Sequence, residues 1–288
     1  MNAGSKFAIY SALLIGVSIV FQSQAAKAAE PMLVATYALL ISSLILFAVI
    51  ALRNKKLSYA GKLKNDANFW KIVVSRNVVG TLFLLYGMGM TTAVNSLFIL
   101  RLEPVFVILF GYTLLNEKVK SREILYVLLT IAGAVLVSTA GSFSFGPTQT
   151  GDLLVFASLI ALGYSYIPSR RIMQKTDPLV LTAYSNLAGG LILLLLSAAV
   201  LDSLKMPVNA LVLTLGSVIT FYVVGLSLWF KALKKTQAWR VAALLSITPV
   251  AGGALSFVWL GESLSLIQLI GAGIILIMSY LLSSERKN

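Results

Sequence analysis

The chain is a succession of apolar runs of about 20 residues, separated by short stretches that hold most of its charge and much of its Pro. A run of that length predicts a helix able to cross a hydrocarbon core of about 30 Å. The runs fall near 7 to 26, 32 to 52, 70 to 90, 94 to 115 and 123 to 141, then near 152 to 169, 178 to 201, 208 to 230, 238 to 260 and 264 to 283. The pattern predicts an all-α integral membrane protein with ten transmembrane helices. The first run has Lys6 ahead of it and Ala26-Lys27-Ala28 behind it, the form of a cleavable secretory signal, but an internal repeat that includes this run favours a retained span.

The repeat emerges when the sequence is slid along itself. Val78-Val79-Gly80 matches Val223-Val224-Gly225, Pro104 matches Pro249 and Glu117 matches Glu262 at an offset of 145; Gly16, Ser18, Pro31 and Tyr37 match Gly163, Ser165, Pro178 and Tyr184 at 147. Residues 1–143 and 148–288 are thus predicted to be two five-helix halves. An odd number of spans per half sends the second half into the membrane inverted relative to the first, the arrangement of carriers that open one site to either side in turn.

Charge agrees with this topology. Lys6, the cluster from Arg53 to Lys71, Lys118 to Arg122, Arg170 to Lys175, Lys231 to Lys235, and Arg286 with Lys287 fall on one side, whereas the other side holds Lys27 and Lys205. The rule that basic loops stay inside predicts a multi-pass protein of the cell membrane with both termini cytoplasmic. The net charge of +13 is then a topology signal, and a nucleic-acid partner is not expected. With 58% hydrophobic and 11% charged residues, membrane lipid is an obligatory partner. The chain has no Cys and no His, which removes the commonest metal ligands and the commonest general base, so neither a metal, a cofactor nor enzymatic chemistry is expected.

Each half closes on a Pro-containing span, a Glu at its far end and a Gly-containing last span: Pro104 to Asn116-Glu117 and then Ile131-Ala132-Gly133, and Pro249 to Gly261-Glu262 and then Gly271-Ala272-Gly273. In this the whole chain resembles the drug/metabolite transporter superfamily, in its duplicated ten-span branch of EamA-type permeases. The resemblance implies that the third, fourth, eighth and ninth spans line a central cavity with help from the first and sixth, while the fifth and tenth pack at the side. It implies little about substrate, since that family moves amino acids, sugars, nucleotide sugars and organic cations. The sequence departs from the family pattern at Tyr37, where Arg is frequent, and at Lys231, where Tyr is frequent, although Tyr86 keeps that Tyr in the first half.

Charges inside spans are the leading site candidates, because a charge at mid-membrane costs at least about 2.5 kcal/mol unless a cavity or partner receives it. Arg101 is expected to clamp a carboxylate, with a structural ion pair as the alternative, and Glu103 to bind substrate, carry a coupling proton or compensate the charge of Arg101, the two pointing to different sides of their helix. Asn95 and Arg240 are repeat mates at the mouths of the fourth and ninth spans, with Lys231 and Arg240 expected to extend their charge to lipid headgroups. Arg76 is expected to be an anchor in the inner turns of the third span. Tyr86, Tyr222, Trp229 and Trp239 are candidate stacking walls, and Pro104 and Pro249 candidate hinges, each lacking an amide donor in mid-span.

The expected function is secondary-active, alternating-access transport of a small polar metabolite, an amino acid or organic anion in the first place, with protons as a candidate coupling ion. Proton-coupled efflux of cationic or aromatic drugs is the alternative within transport, and a membrane-embedded transferase the alternative outside it. A monomer or weak homodimer is expected. ATP-driven pumping is disfavoured by the lack of a GxxxxGK[ST] loop.

Overall fold

Local signals open several of the helices. Pro31 and Pro178 stand at the first helical positions, where the missing N–H is no loss. Asp66 and Asp177 each accept a backbone N–H of the turn they precede, from Asn68 at 2.8 Å and Leu179 at 2.9 Å. The computed structural model describes residues 3–53, 63–90, 99–100, 102–139, 150–248, 250–251, 254 and 265–284. In chain order the helices are α1 (Ala3–Ala28), α2 (Pro31–Leu52), α3 (Ala67–Met90), α4 (Glu103–Leu115), α5 (Ser121–Thr139), α6 (Thr150–Ile172), α7 (Pro178–Val200), α8 (Val208–Lys235), α9 (Ala238–Leu245) and α10 (Leu266–Ser284), with no strand among the described residues.

Six of them, α1, α2, α3, α6, α7 and α8, are long and apolar enough to cross a membrane; α4 and the Leu269–Leu281 part of α10 are shorter apolar helices. The expected runs at 94 to 115 and 238 to 260 do not appear as unbroken spans. Part of each lies outside the described residues, and the helical ladder breaks ahead of each proline. Leu102 and Val105 bond back three residues, to Ile99 and Leu102, and Ile247 and Val250 do the same to Leu244 and Ile247, all N–H to C=O. Pro104 consequently sits in the first turn of α4 rather than in mid-helix. The two breaks stand 145 residues apart.

The same offset separates two π-helical turns, Val73–Gly80 within α3 and Val218–Gly225 within α8. Each closes on an i to i−5 bond, from the Thr81 N–H to the Arg76 carbonyl and from the Leu226 N–H to the Phe221 carbonyl. Each also ends on a glycine with the same constraint. A Cβ would lie 2.7 Å from the Ser75 carbonyl oxygen at position 80 and 2.8 Å from that of Thr220 at position 225. The Val-Val-Gly repeats are therefore where a wide helical turn needs a residue without a side chain.

Packing follows small residues and a few polar contacts, since lipid supplies little hydrophobic drive between helices. α2 lies along α7, where Leu40 meets Gly190 and the Thr36 and Ser197 hydroxyls are 3.3 Å apart. α5 packs on α10 at Gly133, where a Cβ would meet the Gly271 carbonyl at 2.9 Å. Asn186 of α7 ties three helices together, donating to the Ser42 hydroxyl at 2.9 Å and the Tyr222 carbonyl at 3.4 Å. A core built on Trp229, Trp239, Phe230 and Tyr166 holds α1, α6, α8 and α9 together.

Candidate functional site

The two π-helical turns face one cavity of about 120 Å³, bordered also by α1, α4, α6 and the segment Ala242–Thr248. That is several times the space that one water needs, which leaves room for a compact metabolite. Walls from Ile15, Ile19, Leu84, Met88, Leu162 and Phe221 are apolar; Gln22, Arg76, Asn77, Thr81, Glu103, Tyr222, Ser246 and Thr248 bring polar groups to it. The fifth and tenth helices contribute no lining residue among those described.

Among the described residues Arg76 is the cation of this cavity, which corrects the expectation of an anchor in the inner turns of the third span. It lies about 14 Å along α3 at 1.5 Å per residue and is 8% exposed. Its guanidinium carbon is 3.9 Å from the centre of the Trp229 ring, and one of its NH₂ groups donates to the Ser165 hydroxyl at 3.2 Å. Trp229 is held edge-on by Tyr166, ring centres 4.8 Å apart, so the aromatic support of Arg76 is itself fixed. Glu103, at the start of α4, borders the same cavity and attracts Arg76 electrostatically. Asn77, the next residue, also borders the cavity, but its amide is engaged in packing: it donates to the Ser185 carbonyl at 2.6 Å, against Gly189.

Of the other expected site residues, Pro104 and Tyr222 border the cavity. Trp229 and Trp239 are both fully buried and lie behind its lining. Arg240 does not reach toward headgroups. It is 2% exposed and pairs with Glu123 of α5 at 2.7 Å, above the Trp239 ring. The reason is that Glu123, which also accepts the Lys120 N–H to cap α5, is brought against α9 by the fold. The Tyr86 hydroxyl donates to Glu30 at the α1–α2 junction, and the Lys231 ammonium lies 5.7 Å from the Phe7 ring centre. Arg101, Asn95 and Pro249 lie outside the described residues.

Sequence reasoning placed Glu117 in a repeated motif without giving it a task. Asn116 adopts a left-handed conformation (φ 54°), so the chain reverses after α4 and the Glu117 N–H bonds the Gly111 carbonyl at 3.0 Å. Gly111 leaves room for the Glu117 carboxylate, which accepts the Ala238 N–H that begins α9, at 3.0 and 3.1 Å, and meets Arg170 of α6 at 3.3 Å. Burial pushes the Glu117 carboxyl above the usual range, while the α9 amides and Arg170 act to lower it. One carboxylate thus links the ends of α4, α6 and α9.

A model of the EamA-like transporter family matches this chain twice, over residues 2–139 and 149–284. The chain belongs to that family. It is a multi-pass membrane transporter. An uncharacterized transporter of Methanothermobacter thermautotrophicus is 26% identical over 276 residues, covering 90% of this chain and 80% of the relative. A protein of Salmonella typhimurium named "Probable amino-acid metabolite efflux pump" is 26% identical over 223 residues, 73% of each chain. A solved crystal structure aligns with a TM-score of 0.82 at 17% identity, across 99% of this chain and 97% of the other, a likeness of fold alone.

Proposed function

We propose that this EamA-like transporter is a secondary-active carrier that moves a small polar metabolite out of the cell by alternating access, with amino acids and organic anions as its substrate class. The observation that carries the reading is the cavity itself: apolar walls from several helices converge on a few polar groups, among them a buried cation and a carboxylate. The mechanism would rest on two inverted five-helix halves, residues 1–143 and 148–288. Supporting that division are the π-helical turns and the helix breaks that recur 145 residues apart, and the double match of the family model. The breaks before Pro104 and Pro249 are the hinges of the rocking motion. The carrier works in the cell membrane with both termini cytoplasmic, as a monomer or weak homodimer. The name of the Salmonella relative supports the substrate class and the direction.

Glu103 on the cavity wall favours a second reading, proton-coupled efflux of cationic or aromatic compounds. Counterflow in proteoliposomes separates the two. Vesicles loaded with unlabelled leucine, phenylalanine or phenylacetate should transiently accumulate the labelled compound, which only a carrier exchanging one site between two faces can do. Accumulation restricted to organic cations, driven by a pH gradient and lost in Glu103→Gln, would replace the first reading with the second. No counterflow of any compound would sink both.

A further inference from the structure

We propose that Arg76 binds the substrate's carboxylate, and that the molecules this carrier selects are compact carboxylates with an apolar remainder. A guanidinium carries five N–H donors, and among the described residues one hydrogen bond is made, to Ser165. No carboxylate of the described residues lies within ion-pair distance of it; Glu103 acts on it from further away. Arg76 is nevertheless more than nine-tenths buried and borders the cavity. A charge so placed is sustained by an aromatic face on one side and needs an anionic partner on the other, because desolvating an arginine in mid-membrane is costly.

The support is arranged for recognition rather than for neutralisation. The Trp229 ring packs against the guanidinium without consuming its N–H groups, and Ser165 takes one of them, which leaves donors for two parallel hydrogen bonds to a carboxylate. Arg76 lies inside the π-helical turn, its own carbonyl accepting the closing bond, and it borders the cavity while the Asn77 amide is bound in the α7 interface. Further along α3, Leu84 and Met88, with Phe221 of α8, offer an apolar wall to the rest of the molecule.

The inference rests on the carrier reading for the cavity's role, yet it is tested by binding alone. Purified protein in detergent is titrated with leucine, phenylalanine and phenylacetate, each beside its amide, with thermal stabilisation as the readout. The wild type should bind each carboxylate at least ten-fold more tightly than its amide, Arg76→Lys should keep part of that preference, and Arg76→Gln should bind acid and amide alike. Equal binding of acid and amide by the wild type, or no stabilisation by any of the three carboxylates, would overturn the assignment whether or not the variants fold. An acid preference that persists in Arg76→Gln would overturn it too. Counterflow of acids and amides alike would leave the carrier standing without this site; acid-selective binding without counterflow would leave the site without the carrier.

Discussion

The π-helical turns Val73–Gly80 and Val218–Gly225 share a backbone and differ in what they display. Both span eight residues, both end in Val-Val-Gly, and both crowd the glycine against the carbonyl five residues back. At the positions 145 apart that enter the cavity, one carries Arg76 and Asn77 and the other Phe221 and Tyr222. The shape of the wall is kept and its chemistry is divided: a charge-reading side and an aromatic side. A site flanked by two such turns can grip an amphiphilic metabolite at both of its ends, which two identical turns could not do.

The severest challenge to that division is to exchange the two side chains, Arg76→Phe with Phe221→Arg. If only the presence of a cation in the cavity mattered, the exchanged protein would keep its preference for acids. We expect the preference to be lost by more than ten-fold in the same acid-against-amide titration. Ser165 and the Trp229 ring stand beside position 76, whereas Phe221 packs edge-on against Tyr222 with ring centres 4.9 Å apart. Recovery of acid selectivity would show that the two walls are interchangeable and that the support of Arg76 is incidental.

A smaller effect separates the glycines. In Gly80→Ala the new methyl group would meet both the Ser75 carbonyl at 2.7 Å and the Leu162 side chain at 2.8 Å. In Gly225→Ala it would meet the Thr220 carbonyl at 2.8 Å and then nothing closer than Phe221 at 3.5 Å. Overpacking of the first kind costs about 1–3 kcal/mol. Gly80→Ala should therefore lower the midpoint of thermal unfolding in detergent, and Gly225→Ala should lower it less. Equal losses would mean that the strain belongs to the π turn alone and that the contact with α6 adds nothing.

These turns also mark how far the sequence could be read. The long spans were legible because apolar length is a direct physical requirement: the runs predicted at 32 to 52 and 178 to 201 fall on α2 (Pro31–Leu52) and α7 (Pro178–Val200). Val-Val-Gly was visible as a repeat, but nothing in the letters says that the helix widens there. By position alone Arg76 reads as a charge near a span end. Glu103 was legible as a charge inside an apolar run. The pairing of Arg240 with Glu123 was not, since 117 residues separate the partners and Glu123 reads as an ordinary helix start. Trp229 and Trp239 were found as residues and missed as positions, because periodicity gives a face and not the neighbour that covers it.

The mildest test falls on the residues beside the two discriminating side chains. Asn77 and Tyr222 are both nearly buried and both border the cavity, yet they are used differently. The Asn77 amide is bound to the Ser185 carbonyl at 2.6 Å, and its Cβ fills the space that Gly189 leaves open. Among the described residues the Tyr222 hydroxyl makes no hydrogen bond, and the residue packs through its ring and backbone carbonyl. Asn77→Ala removes a buried hydrogen bond and some packing, so a loss of about 1–2 kcal/mol is expected. Tyr222→Phe removes a hydroxyl that bonds none of the described residues and should stay within about 0.5 kcal/mol of the wild type. Unfolding followed in parallel for the two variants measures this directly. A Tyr222→Phe protein as unstable as Asn77→Ala would show that the aromatic turn is also stitched by polar contacts, and the two walls would differ in charge alone.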